Sequence, residues 1–384
     1  TQSTQMVTDN QTEDDYVYKS DYSNTTELLD SIEDLGERMS EEGTVLLKNN
    51  GALPLSADEK QKVTFLGFSS YFPIQGGDFG STLTENKGTD ADTVDMVQAF
   101  EAKGYSLNPT VQNMYLGMKE DFKSEAVLPW GVTTYYRATS PAIGGTFTSL
   151  EPSQEKLDKA EPTWKDSMND YNVMIVTIAR AAGENTNYTP GEEGVNPEQN
   201  LNQADPLGLS DTERATIDAA VKAKEQNGGK VIVLLNNASA MEIDELKNND
   251  GIDAMLEVGI PGGYGFYGVA DVLSGDANPS GHLADTYAVD NSASPAAQNY
   301  GDYEWTNADS DYSINSEIVE AESIYTGYKY YETRYADTVL GQGNASDSVG
   351  SSTGGAWTYD SEVSYPFGYG LSYTTFTQAL DSLN

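Results

Sequence analysis

Three glutamates lie within ten positions of one another directly behind an apolar run. Glu184, Glu192 and Glu193 belong to the stretch IARAAGENTNYTPGEEG, residues 178–194. A carboxyl group acts as a general acid near neutral pH only if it is partly desolvated and held away from attracting cations. Glu184 follows the apolar run closely, whereas Glu192 and Glu193 lie farther along, between glycines, where water would keep them ionised. From the residues alone, solvated loop charge is the favoured interpretation of all three, and Glu184 is the first candidate for chemistry.

The lack of cysteine and the presence of one histidine, His282, exclude several other chemistries. No disulfide framework, thiol nucleophile or Cys/His zinc site is available, and a Ser-His-Asp triad would need His282 as its base. His282 lies among turn residues in NPSGHLAD, where a structural role is favoured. Catalysis, if the chain performs any, must therefore use carboxylates.

The chain is strongly acidic, with 61 Asp and Glu residues against 21 Lys and Arg residues and a formal net charge of −40. Such a field repels phosphate backbones and anionic membrane surfaces, so nucleic acid is not expected as a partner. No window holds eighteen consecutive apolar residues, so no membrane span is expected. The polar composition without cysteine favours an extracellular or cell-surface protein, from a bacterium.

Alternating strand and helix patterns are predicted to position the candidate residues. Apolar runs typical of buried strands cover residues 63–68, 172–179, 230–236 and 251–260. Helical patterns cover residues 210–229, where Ser210 and Glu213 form a capping box, residues 263–275, and a first helix with Leu28, Ile32, Leu35 and Met39 at helical spacing. These patterns predict an α/β fold with a largely parallel sheet sandwiched between helices.

Open parallel sheets bind ligands at the carboxyl ends of their strands, where the connecting loops converge. Four loops are expected to share that edge: QGGDFGS at 75–81, ARAAGEN at 179–185, NNASAME at 236–242 and PGGYG at 261–265. Residues 110–165 and 181–209 show no clear periodicity and are predicted to be irregular.

Four stretches of the sequence resemble one family. They are EEGTVLLKNNGALPL (41–55), VADVLSGDANPSGHLADTY (269–287), ESIYTGYKYYE (322–332) and SYPFGYGLSYTTF (364–376). In this order they resemble the second domain of glycoside hydrolase family 3, which includes β-glucosidases and β-xylosidases. In that family a TIM-type barrel carries an aspartate nucleophile, an α/β sandwich packs on it, and a fibronectin-III-like domain often follows. The resemblance covers roughly residues 25–376 and implies that this chain is the sandwich.

The resemblance implies that Glu184 is the general acid/base. Many family members place that residue in a loop of the type R-x-x-G-E-G-x-D behind a strand, and the matching residues here run from Arg180 to Asn187. Arg180 is then expected to bind substrate. Asn185 replaces the usual glycine and Asn187 the usual aspartate, so the loop conformation and one sugar contact depart from the family pattern.

The glycine-rich stretch QGGDFGS resembles a family loop that approaches the sugar. Gly76 and Gly77 would let backbone amides come close to hydroxyl groups, and the Asp78 carboxylate would accept hydrogen bonds from them. A tight turn without ligand is an equally open interpretation. A flavodoxin-like nucleotide binder is disfavoured, because neither the Walker spacing nor GxGxxG is present.

No segment offers eight strand-helix repeats, so the nucleophile-bearing barrel is expected outside this chain, in the same precursor or in a second chain. The expected function is that of the acid/base domain of a retaining, exo-acting β-glycosidase that hydrolyses terminal non-reducing β-linked sugars. Its substrate would be a carbohydrate, and no cofactor or metal is needed. The alternative, motivated by Asn185 and Asn187, is a non-catalytic sugar-binding or packing module.

The expected domain organisation has four segments. They are a flexible acidic lead (1–23), the α/β sandwich (24–290), an irregular extension with a flexible loop (291–365), and a linker with the first strand of a truncated fibronectin-III-like domain (366–384).

Overall fold

The computed structural model describes residues 20–76, 93–128, 131–136, 151–180, 205–301, 303–305, 316–343, 345–375, 377 and 379–382. The helices in these residues are α1 (Thr25–Gly43), α2 (Met96–Ala102), α3 (Pro109–Gly117), α4 (Gln154–Ala160), α5 (Trp164–Ser167), α6 (Asp211–Asn227), α7 (Asp244–Lys247), α8 (Phe266–Ser274), α9 (Pro295–Asn299), α10 (Tyr328–Thr338) and α11 (Tyr359–Glu362). The strands are β1 (Val45–Asn49), β2 (Val63–Leu66), β3 (Lys123–Leu128), β4 (Gly131–Tyr136), β5 (Val173–Arg180), β6 (Lys230–Asn237), β7 (Ala254–Glu257), β8 (Tyr287–Ala288), β9 (Tyr303–Glu304), β10 (Ser316–Glu317) and β11 (Val363–Tyr365).

The largest sheet has five strands in the order β1-β7-β6-β5-β2. Strands β2, β5, β6 and β7 run parallel, and β1 pairs antiparallel with β7 at the edge. Every residue of β2 and β5 is buried, which requires cover on both faces of the sheet. The predicted α/β fold with a largely parallel sheet is therefore confirmed.

The four predicted strands form the parallel part of this sheet, with boundaries that differ by a few residues. The capping box of Ser210 and Glu213 begins α6, as predicted, and Gly228 ends that helix in the left-handed region with φ of 70°. Strand β1 belongs to a motif that resembled the family but was not predicted as a strand, because its apolar core, VLL, spans only three residues.

Helix α1 forms as predicted, but its apolar stripe does not join the core. The Asn24 side chain caps the helix by accepting a hydrogen bond from the Glu27 amide at 3.0 Å. Leu35 and Met39, with exposed fractions of 45% and 65%, face outward. The helix instead packs against α8, where Gly268 lies so close that a β-carbon there would be 2.7 Å from the amide nitrogen of Glu41.

The prediction that residues 110–165 are irregular is wrong for the described residues of that segment. They contribute most of α3, the antiparallel hairpin β3–β4, the helix α4 and the start of α5. The Asn108 side chain caps α3 by accepting from the amide of Thr110 at 3.1 Å, with Pro109 in the first turn. These elements are too short for a periodicity analysis to detect, although the Asn-Pro start of α3 is a recognisable signal. Among the residues with described structure, no helix is long and apolar enough to cross a bilayer.

Candidate active site

Arg180 is the last residue of β5 and is fully buried. Its guanidinium forms a two-pronged ion pair with Glu213, with Nη1–Oε1 at 2.6 Å and Nη2–Oε2 at 2.8 Å. Nε also donates to the carbonyl oxygen of Pro206 at 2.8 Å, and Nη2 donates to that of Gly208. The substrate-binding role expected for Arg180 stays a prediction, and the contacts seen for its side chain are internal to the protein.

The carboxylate of Glu213 has two structural roles. It completes the capping box at the start of α6, where Oε2 accepts from the Ser210 amide at 2.9 Å, and it pairs with Arg180. The sequence predicted only the first function. Arg180 precedes residues 181–204 and Pro206 lies just beyond them, so this network joins the residues on either side of that segment at the carboxyl end of β5.

The candidate acid/base Glu184 lies outside the described residues, within the segment that this network flanks. The alternatives Glu192 and Glu193 lie in the same segment. In sequence, Glu184 follows the anchored Arg180 by four residues, whereas Glu192 follows it by twelve.

The loops behind β2, β6 and β7 meet at the same edge of the sheet. The Asn236 side chain accepts from the amide of Ile74 at 2.8 Å and donates to the carbonyl oxygens of Ile74, at 3.0 Å, and of Gly259, at 2.7 Å. Gln75 Nε2 donates to the Val94 carbonyl at 2.7 Å. The predicted convergence of loops at the carboxyl edge is confirmed for these three.

Gly76, a predicted substrate-binding residue, directly follows this junction and is partly buried. Gly77 and Asp78, predicted with it, lie outside the described residues. A sugar contact at this loop therefore stays a prediction.

A buried carboxyl that the sequence did not indicate, that of Glu151, lies near the ion pair of Arg180 and Glu213. Glu151 accepts from the amide of Phe68 at 2.8 Å, from the Tyr115 hydroxyl at 3.2 Å and from Thr216 Oγ1 at 3.1 Å. Burial raises the pKa of Glu151 to about 8, and the charge of Glu213 adds to the effect. With 4% exposure, Glu151 is a buried hydrogen-bonding centre that joins the segment after β2 to α6, rather than an accessible acid.

A second buried carboxyl, Glu257, ends β7 beside Asn237, the last residue of β6. Its Oε2 accepts from the Tyr287 hydroxyl at 2.8 Å and its Oε1 from the Gly259 amide at 2.8 Å. A single acid inside the apolar run AMLEVGI is the signal that could have indicated it. His282, which the sequence assigned to a structural role, is exposed.

One group of carboxylates in the described residues is close enough to hold a metal ion. Oxygen atoms of Glu37, Glu41 and Asp271 lie within 4.8 Å of one another. Lys103 Nζ already contacts two of them, Glu37 Oε1 and Asp271 Oδ2, each at 2.7 Å. The ammonium group thus offsets much of the charge that would attract a cation.

Comparisons with known proteins point to one family. The Beta-glucosidase of Ruminococcus albus is 28% identical over 339 residues, which cover 87% of this chain and 27% of that relative. Beta-glucosidase A of Butyrivibrio fibrisolvens is 33% identical over 156 residues, which cover 41% of this chain and 15% of that relative.

Among solved structures, beta-glucosidase 3B from Thermotoga neapolitana in complex with glucose superposes with a TM-score of 0.61 at 26% identity. The match covers 91% of this chain and 39% of that chain. This chain therefore spans well under half the length of the proteins that it matches. Residues 44–373 match the family described as the glycosyl hydrolase family 3 C-terminal domain. Because this match covers most of the sequence, the chain belongs to that family of domains from β-glucosidase-like proteins.

Proposed function

We propose that this chain is the acid/base-bearing domain of a retaining, exo-acting β-glycosidase, with Glu184 as the acid/base. The nucleophile is an aspartate of a barrel domain outside this chain. The observation that supports the proposal best is the anchoring of Arg180 at the carboxyl edge of the sheet by Glu213. Four residues of chain reach at most about 14 Å, so Glu184 stays within that distance of a fixed point on the ligand-binding edge.

The proposed reaction has two steps. The barrel aspartate attacks the anomeric carbon while Glu184 gives its proton to the departing glycosidic oxygen, which leaves a glycosyl-enzyme intermediate. The Glu184 carboxylate then takes a proton from water as that water attacks the same carbon and releases the aspartate. The two carboxyl groups must lie roughly 5–5.5 Å apart when the domains are assembled.

Arg180 acts in this proposal as a positioning residue for the acid/base segment. It is anchored to Glu213 and to the carbonyl oxygens of Pro206 and Gly208, so it holds together the two ends of a segment of 24 residues, 181–204. Fixing the ends of a loop reduces the conformational entropy that the loop loses when it adopts one reactive geometry.

The test is the activity of the enzyme that contains both this chain and an aspartate-bearing barrel, joined or added as a second polypeptide. Glu184→Gln should lower kcat/KM by about a hundredfold to ten-thousandfold for cellobiose, whose leaving group needs protonation. The loss in kcat/KM should be small for 2,4-dinitrophenyl β-glucoside, whose leaving group does not need it, although kcat should fall because the second step lacks its base. Glu192→Gln and Glu193→Gln are the matched controls and should keep most activity on both substrates. Equal losses in kcat/KM on both substrates for Glu184→Gln, or a leaving-group-dependent loss in kcat/KM for either control, would contradict the assignment.

A non-catalytic sugar-binding or packing module is the second candidate. Asn185 and Asn187, which replace a glycine and an aspartate of the family pattern, favour it. Activity that appears only when the barrel and this chain are mixed would support the enzyme domain. Failure of the mixture, with retained sugar binding by this chain, would support the module.

A further inference from the structure

A cavity of about 600 Å³ opens at the carboxyl ends of β6 and β7. Its lining includes the polar side chains of Asn237, Glu257, His282 and Asp285. None of these residues belongs to the acid/base motif, and the function proposed above uses none of them. The volume falls in the range of small-molecule sites, roughly 300–1,000 Å³.

The principal polar group of this cavity is the carboxyl of Glu257, which is 9% exposed. Both oxygens accept internal hydrogen bonds, from Tyr287 and from the Gly259 amide, each at 2.8 Å. Burial raises the pKa of Glu257 to about 8, although the hydrogen bonds act in the opposite direction. At neutral pH this carboxyl is therefore mostly protonated, and it offers a ligand both a donor and an acceptor.

The second polar group is the amide of Asn237, which is 3% exposed and lines the cavity. It lies near enough to Glu257 to lower the pKa of that carboxyl. Its Nδ2 nevertheless forms no hydrogen bond of normal geometry within the described part of the chain. A buried donor without a well-placed acceptor destabilises the fold, and a ligand oxygen would relieve that cost.

The charged and apolar groups that line the cavity favour a neutral ligand over an anion or a cation. An anion is disfavoured by the Asp285 carboxylate at the cavity and by the net charge of −40. A bound cation would require an ionised Glu257, the form that burial disfavours. Apolar wall residues, Val258, Ile260 and Leu283, provide a surface for carbon-bound hydrogens.

We propose that this cavity binds a neutral polyhydroxylated ligand the size of a mono- or disaccharide, with Glu257 and Asn237 as the groups that bond its hydroxyls. Each sugar hydroxyl both donates and accepts, which matches a protonated carboxyl and an amide. The site does not depend on the role proposed for Glu184, because its lining is drawn from residues 39–45, 237–240, 257–261 and 282–287.

Binding is measured on this chain by titration with D-glucose, cellobiose and glycerol at pH 6.5, followed by methyl NMR of ¹³C-methionine. Met39 lines the cavity and reports on it directly, and the other methionines serve as internal references. A saturable shift of the Met39 resonance with a dissociation constant of about 1 mM is expected for at least one of the two sugars. Glycerol should bind at least tenfold more weakly, because it offers fewer hydroxyls.

Ala284→Trp fills the mouth of the cavity from an exposed position and should abolish the shift. Ala57→Trp, the same change at an exposed residue outside the cavity lining, is the matched control and should bind as the unaltered chain does. Asn237→Ala should weaken binding about tenfold through loss of the amide donor. The proposal is overturned by the absence of a saturable shift for both sugars, by equal affinity in Ala284→Trp, or by equal affinity for glycerol.

Discussion

The Glu213 carboxylate both caps α6 and forms a buried ion pair with Arg180. The sequence motif for helix capping predicted the contact of Glu213 with Ser210, and that contact is present. The pairing with Arg180 joins residues 33 positions apart, so no local pattern reveals it. The structure shows the Arg180 guanidinium fully buried and bonded to protein groups, and the contact with substrate that the family resemblance implies stays a prediction.

Removing one member of this pair should destabilise the fold strongly. Arg180→Met leaves the buried Glu213 carboxylate without its cation and should lower the free energy of unfolding by about 3–5 kcal/mol. Urea unfolding followed by circular dichroism measures the change.

The matched control is Arg214→Met on α6, the helix that carries Glu213; this arginine pairs with Glu245 at 2.8 Å, and both side chains are more than a third exposed. Exposed pairs contribute about 0–1 kcal/mol, so this variant should remain close to the parent. Similar losses in Arg180→Met and Arg214→Met would mean that the buried pair does not hold this region together.

The buried carboxyl of Glu257 should make stability depend on pH. Its pKa rises from 4.5 toward about 8 on folding, so the folded state holds a proton that the unfolded state releases. The favourable contribution is complete below pH 4.5 and is lost as the pH rises through about 8, with a slope of at most about 1.4 kcal/mol per pH unit.

Glu257→Gln keeps the neutral shape and should flatten the fall in stability between pH 5 and pH 8. Urea unfolding at several pH values tests this expectation. Glu225→Gln, on the exposed side of α6, controls for the loss of one acidic group. An unchanged slope in Glu257→Gln would contradict the account of this carboxyl.

At the scale of elements, the packing of α1 on α8 depends on one glycine. A β-carbon at Gly268 would collide with the carbonyl oxygen of Glu37 and would lie 2.7 Å from the amide nitrogen of Glu41. Gly268→Ala should therefore lower the free energy of unfolding by about 1–3 kcal/mol, although alanine favours helix. Gly117→Ala, at the end of α3 where no atom lies within 4 Å, should be neutral or stabilising by up to about 1 kcal/mol. Thermal unfolding measures the stability of both variants. Equal melting temperatures would contradict the claim that the packing of α1 on α8 requires a glycine at position 268.

The sequence predicted the elements that carry long apolar runs and not the short strands that lack them. The parallel strands were recognisable because buried strands need continuous apolar residues on both faces, as in residues 230–236. The short hairpin β3–β4 and the edge strand β1 lack such runs and are defined by their pairing. The outward-facing stripe with Leu35 and Met39 shows the limit of periodicity, which predicts a helix and one apolar face but not what covers that face.

At the scale of the whole molecule, the net charge of −40 should influence stability more than any surface pair. Like charges repel more strongly in the compact state, and salt screens that repulsion over a Debye length of about 10 Å at 0.1 M. The melting temperature at pH 7 should therefore rise as sodium chloride increases from low to moderate concentration. Calorimetry checks this, and a melting temperature that falls with salt would mean that ion pairs, not repulsion, dominate the electrostatics.

The central claim is that Glu184 is the acid/base of a glycosidase whose nucleophile lies in another domain. Its most direct test is azide rescue of the Glu184→Ala variant of the assembled enzyme, with 2,4-dinitrophenyl β-glucoside as substrate. Azide attacks a glycosyl-enzyme without the help of a base, and the missing carboxylate no longer repels it. The account predicts a rate that increases with azide and a product, β-glucosyl azide, with retained configuration. No rescue, or rescue of Glu192→Ala or Glu193→Ala in its place, would contradict it.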